Sequence, residues 1–83
     1  MSNEFYINLN TIEKVKQFVN IVDKFESDVD IEQGKYRVKA KSIIAIFSLN
    51  LLEPLLVKID RKNEKEIESF NEVMEEFKYE SNS

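Results

Sequence analysis

The stretch Asp28–Ala40, DVDIEQGKYRVKA, is where the apolar residues of this chain change period. Before it they recur at helical spacing; within it they recur every second position. Val29 and Ile31 alternate with Asp28 and Asp30, while Tyr36, Val38 and Ala40 alternate with Lys35, Arg37 and Lys39. Such alternation marks strands with one buried and one wet face. Between the two runs sits Gln33-Gly34, which holds the chain's only glycine where a tight turn needs positive φ. The stretch predicts a β-hairpin. Lys35, Arg37, Lys39 and Lys41 read as the solvated face of an edge strand, with a phosphate-attracting stripe as the lesser alternative.

Working outward, EFYINL before it alternates as a first strand, with Phe5, Ile7 and Leu9 on one face. Asn10 is then placed to cap a helix, with Glu13 three residues on as in a capping box. Ile12, Val15, Phe18 or Val19, Val22 and Phe25 recur at the spacing of one helix face, and Glu13, Lys16, Gln17, Asn20 and Asp23 fill the other side. After the hairpin, Ser42 is a plausible N-cap for a short helix in SIIAIFSLN, closed by the only proline, Pro54. LLVKID reads as a fourth strand with Leu55, Val57 and Ile59 inward. Asn63 and Glu66 form a second capping-box pattern, opening a helix whose stripe is Ile67, Phe70, Met74 and Phe77, with Val73 beside it. Glu64, Glu68, Glu72, Glu75 and Glu76 fall on its solvated face. Residues 1–3 and 80–83 are expected to fray. The order βαββαβα predicts a single α+β domain, an antiparallel sheet covered on one face by helices.

At 83 residues the chain has room for one domain of modest stability. Its composition, 42% hydrophobic and 34% charged, is that of a folded domain. It has no cysteine and no histidine, which removes disulfides, thiolate metal sites, the usual general base and the usual metal ligand. No cofactor and no metal site are expected. The opening MSNEFYINL has no basic region leading into an apolar stretch, and no apolar run reaches the roughly 20 residues of a membrane span. A cytoplasmic location is expected. The net charge of −4 argues against nucleic acid and anionic membranes as main partners. Glu26, Asp28 and Asp30 are the candidates for acid–base chemistry, but no phosphate loop, metal-ligand motif or nucleophile–base pair accompanies them, so an enzyme is not expected.

One segment stands out. KSIIAIFSLNLLEP, Lys41 to Pro54, carries more apolar side chains than one helix face can bury. With Ile43, Ile46 and Leu49 turned inward, Ile44 and Phe47 are left over, and leftover apolar area tends to mark a contact site. Alternatively Ile44, Phe47, Leu51 and Leu52 bury themselves in a symmetric homodimer or under the tail.

The same segment resembles the HPr family, the small phosphocarriers of the bacterial sugar phosphotransferase system. The family's regulatory-serine signature is lysine, serine, isoleucine, an apolar residue, a small one, two apolar residues, then serine and leucine, and KSIIAIFSL, Lys41 to Leu49, fits it throughout. The hairpin and its spacing are also similar. The resemblance implies an open-faced β-sandwich, with four antiparallel strands covered by three helices. It also implies that Ser42 is a target of an ATP-dependent kinase, and that Ile44 and Phe47, with Lys41, Ser48 and Leu51 around them, form a docking surface for protein partners such as an HPr kinase or a transcription regulator. The residue-level alternative is that Ser42 is a helix cap and no more.

The family's other signature is absent. Its phosphate carrier is a histidine at the start of the first helix, followed by alanine, arginine and proline. Counting back without gaps from Phe25 places Thr11 at the histidine, with Glu13 and Lys14 at the arginine and proline. The expectation is an HPr-like protein without phosphotransfer activity: a regulatory or adaptor module related to sugar uptake, a monomer or weak homodimer. The alternative is a homo-oligomer or vestigial paralogue that uses Ile44 and Phe47 as its subunit interface.

Overall fold

The computed structural model describes residues 2–79. The elements follow the expected order: β1 (Glu4–Ile7), α1 (Ile12–Val22), β2 (Val29–Gln33), β3 (Tyr36–Lys39), α2 (Ile43–Phe47), β4 (Leu55–Ile59) and α3 (Glu64–Met74). A 3-10 turn over Glu75–Phe77 continues α3. The four strands form one antiparallel sheet in the order β1-β4-β2-β3.

Register shows why the sheet is open-faced. One row across it runs Phe5, Val57, Ile31, Val38, apolar throughout and facing the helices. The next row runs Glu4, Lys58, Asp30, Lys39, alternating in sign. Ion pairs lace this outer face, among them Arg37–Asp30 at 2.9 Å, Lys58–Glu32 at 3.2 Å and Lys39–Asp30 at 3.3 Å. The core lies between the inner face and the helices, with Val15, Phe18 and Val22 from α1, Ile46 from α2 and Ile67, Phe70 and Met74 from α3. Phe70 sits centrally, its ring centroid 5.7 Å from Phe5 and 5.4 Å from Phe25. Phe77 meets Phe18 edge-on at 5.7 Å. Aromatic pairs at these distances stabilise beyond the area they bury.

Gln33 pairs with Tyr36, so the hairpin turn is Gly34-Lys35, one residue later than the sequence places it. Gly34 has φ 58°, as the first central residue of a II′-type turn requires.

Four further expectations are corrected. The cap of α1 is Thr11, not Asn10: Thr11 is extended and its hydroxyl accepts the Lys14 N–H at 3.1 Å. Glu13 then stands too early in the helix for a capping box. Ile12 is 62% exposed because it opens α1 at the flank of the stripe that Val15, Phe18 and Val22 bury. Tyr36, expected inward, is 71% exposed at the outer edge of the sheet. At α3, Asn63 caps as expected, accepting the Glu66 N–H at 3.2 Å. The Glu66 carboxylate, however, does not turn back to close a box. It accepts the Glu26 N–H at 2.9 Å, the Ser27 N–H at 2.8 Å and the Ser27 hydroxyl, tying the loop after α1 to α3.

The ends of the described chain are held. Asn3 exchanges two hydrogen bonds with Ile59, and Tyr79 N–H donates to the Tyr6 carbonyl at 2.8 Å beside an Ile7–Lys78 bridge. Of the residues expected to fray, 1 and 80–83 lie outside the described residues.

Candidate functional site

The chain leaves β3 and turns into α2 through Lys41 and Ser42. Ser42 donates its N–H to the Lys39 carbonyl at 3.1 Å, and its hydroxyl accepts the Ala45 N–H at 3.3 Å, the geometry of an N-cap. Ser48 closes the far end, donating its hydroxyl to the Ala45 carbonyl. Five residues make little more than one turn, so α2 is held by its contacts rather than by helix propensity. Ile46 is fully buried, Leu49 nearly so, and Ile43 packs against the core.

The outward side is apolar. Ile44 is 81% exposed and Phe47 44%. Both therefore lie where counting along the helix places them. Leu51 packs against the core, whereas its neighbour Leu52 is 87% exposed. Leu52 is not on a loose loop: its N–H donates to Asn50 Oδ1 at 3.1 Å. Asn50 in turn is clamped to the hairpin. Its N–H donates to Gln33 Oε1 at 2.8 Å, and Gln33 Nε2 donates to its carbonyl at 2.7 Å. This clamp had one signal in the sequence, the inward phase of Gln33 at the end of β2, and nothing there names Asn50 as its partner.

Lys41 has a different setting from the rest. Its ammonium donates to the Phe25 carbonyl, and its charge helps to hold Glu66 in the ionised form. Glu66 is pushed below the ordinary carboxylate range chiefly by the Ser27 hydroxyl, then by the Glu26 N–H. Lys41 and Glu66 thus hold the same loop, Phe25 to Ser27, from two sides. Thr11 lies on another element, exposed, at the start of α1.

Ser42, Ile44, Phe47 and Ser48 bring hydroxyls and apolar surface together, with no general acid or base of their own. Among the described residues no group of three histidine, cysteine or acidic side chains is placed to hold a metal ion, and no helix is long and apolar enough to cross a membrane.

The fold has close counterparts. It superposes on the crystal structure of HPr-C-His from Thermoanaerobacter tengcongensis with a TM-score of 0.70 and 23% identity, covering 90% of this chain and 92% of that one. The phosphocarrier protein HPr from Bacillus anthracis gives a TM-score of 0.61 and 22% identity, covering 81% of this chain and 86% of that one. No curated protein matches the sequence. The family model described as the HPr component phosphorylation site of the phosphotransferase system matches residues 13–78. That span takes in the hairpin, α2 and α3, and it begins after Thr11. A match over most of the length, on an antiparallel sheet with three helices to one side, settles the kinship: this chain belongs to the HPr family of the phosphotransferase system.

Proposed function

We propose that this HPr-family chain works as a binding and regulatory module rather than as a histidine phosphocarrier, with α2 as its contact surface. The observation that carries this reading is the outward side of α2: Ile44, Phe47 and, beyond the helix, Leu52 are exposed although the core directly beneath them is filled. Apolar groups that are not needed for folding tend to mark a contact surface. Ser48 adjoins Phe47 at the end of α2, Leu51 packs against the core, and Lys41 precedes the helix.

Ser42 is the point of control. Phosphorylation adds about −1.5 to −2 charges at neutral pH. A phosphate there stands at the rim of the apolar patch, where a docked partner meets a new charge, while the Lys41 ammonium is held at the Phe25 carbonyl. The surface takes a protein partner, an HPr kinase or a transcription regulator in the family's manner, and the setting is cytoplasmic.

The test is intact mass after incubation with ATP and a kinase active on ordinary HPr, with Ser42→Ala alongside. One added phosphoryl group, absent in the variant, is the expected result. No mass change would reduce Ser42 to a cap. Sedimentation of the unmodified protein then asks whether Ile44 and Phe47 serve a homodimer instead.

A further inference from the structure

The two edges of the sheet are treated differently. At β1 the chain closes its own edge: the Glu4 N–H and C=O both meet the Ser2 hydroxyl, at 3.2 and 2.9 Å, and the Tyr6 carbonyl accepts the Tyr79 N–H. At β3 the chain closes only the last outward group, the Lys39 carbonyl, and no other described segment pairs with this edge. The phase of β3 follows from its hairpin. Gln33 pairs with Tyr36 across a two-residue turn, Ile31 with Val38, and the Ala40 N–H donates to the Val29 carbonyl at 2.9 Å. Main-chain groups alternate sides along a strand, so the N–H and C=O of Arg37 and the N–H of Lys39 point away from β2. The Lys39 carbonyl, also outward, is taken by Ser42.

The side chains along this edge sort by face. Arg37 and Lys39 stand on the open face, each paired with Asp30 on its β2 side, and with side chains 65% and 70% exposed they remain open to a second carboxylate from solvent. Tyr36, 71% exposed, and the half-buried Val38 stand on the helix face. We propose that the β3 edge accepts an extended segment of another protein whose side chains alternate acidic and apolar, added to the sheet as a further strand. Residues opposite Arg37 and Lys39 lie on the open face and complement their charge; their neighbours lie on the helix face beside Tyr36 and Val38. A second copy of this chain does not fit, since antiparallel β3–β3 pairing sets cations against cations. This inference is independent of the reading of α2, because it uses other residues and another kind of contact.

The test uses the full chain, labelled with nitrogen-15, and the capped peptide Glu-Val-Glu-Val-Glu. On titration the Arg37 and Lys39 amides shift and become protected from hydrogen exchange. Two altered peptides leave the protein untouched: the charge-reversed Lys-Val-Lys-Val-Lys, and the acidic peptide N-methylated on the amides that face β3. Each binds at least about tenfold more weakly, as expected for charge pairs made repulsive or main-chain bonds removed. Equal binding of the three peptides, shifts confined to α2, or no shift at millimolar peptide would overturn the proposal.

Discussion

Glu66 shows how one residue can be legible by type and not by task. Its spacing from Asn63 is that of a capping box, yet its carboxylate goes to the loop after α1, where two amides and a hydroxyl converge on it. The amides of Glu26 and Ser27 lie about 40 residues away in sequence, a separation that no local pattern encodes. Replacing it by Gln leaves one acceptor oxygen and adds a misplaced donor, so Glu66→Gln is expected to cost about 1–2 kcal/mol, a bond to a charged group being worth somewhat more than a neutral one. Unfolding in urea at neutral pH measures it. The pH dependence has a definite sign. The folded-state pKa of Glu66 is lowered, so on acidification the unfolded chain takes up this proton first. The stabilisation is complete above the ordinary glutamate value and is lost as pH falls through the folded-state pKa. Wild type and Glu66→Gln should therefore converge in stability under acid conditions. A gap that persists there would assign the effect to packing.

The 3-10 turn over Glu75–Phe77 settles a question at the scale of elements, namely what holds the outer edge of β1. Phe77 is buried against Phe18, while Lys78 and Tyr79 add backbone pairing to Ile7 and Tyr6. Burial should outweigh pairing. Phe77→Ala is expected to lose about 3–5 kcal/mol. Ending the chain after Phe77 is expected to lose about 1 kcal/mol, the net value of an ordinary hydrogen bond. The two urea midpoints, compared with wild type, check the order; equal losses would mean that the edge pairing organises the turn. The comparison also separates what the sequence could and could not disclose. Phe77 was legible because it completes the stripe of Ile67, Phe70 and Met74. The excess on α2 was legible by counting, since Ile43, Ile46 and Leu49 already fill the inner side. The Tyr79 pairing and the two bonds of the Gln33–Asn50 clamp were not, because isolated hydrogen bonds between distant segments leave no periodic trace. Asn10 and Thr11 are both good caps by type, so the sequence leaves the choice open, and it is the extended Thr11 whose hydroxyl accepts the Lys14 N–H.

Taken whole, the molecule combines the HPr fold with a sequence that lacks the residue type the family's relay uses. It contains no histidine. Reversible relay of a phosphoryl group needs a labile phosphorus–nitrogen bond, and the hydroxyl that caps α1, Thr11, would instead form an ester that holds its phosphate. Amide groups at an N-terminus attract anions, and the first turn here carries opposite charges on Glu13 and Lys14. Incubation with enzyme I and labelled phosphoenolpyruvate is therefore expected to label ordinary HPr and leave this chain unlabelled. Ser42→Ala should behave identically in that assay, because its modification draws on ATP and a separate kinase. Label appearing on this chain would mean that another side chain accepts phosphate from enzyme I, and the binding-module reading would fall with it. Label on neither protein would indict only the enzyme preparation, which the ordinary HPr control detects.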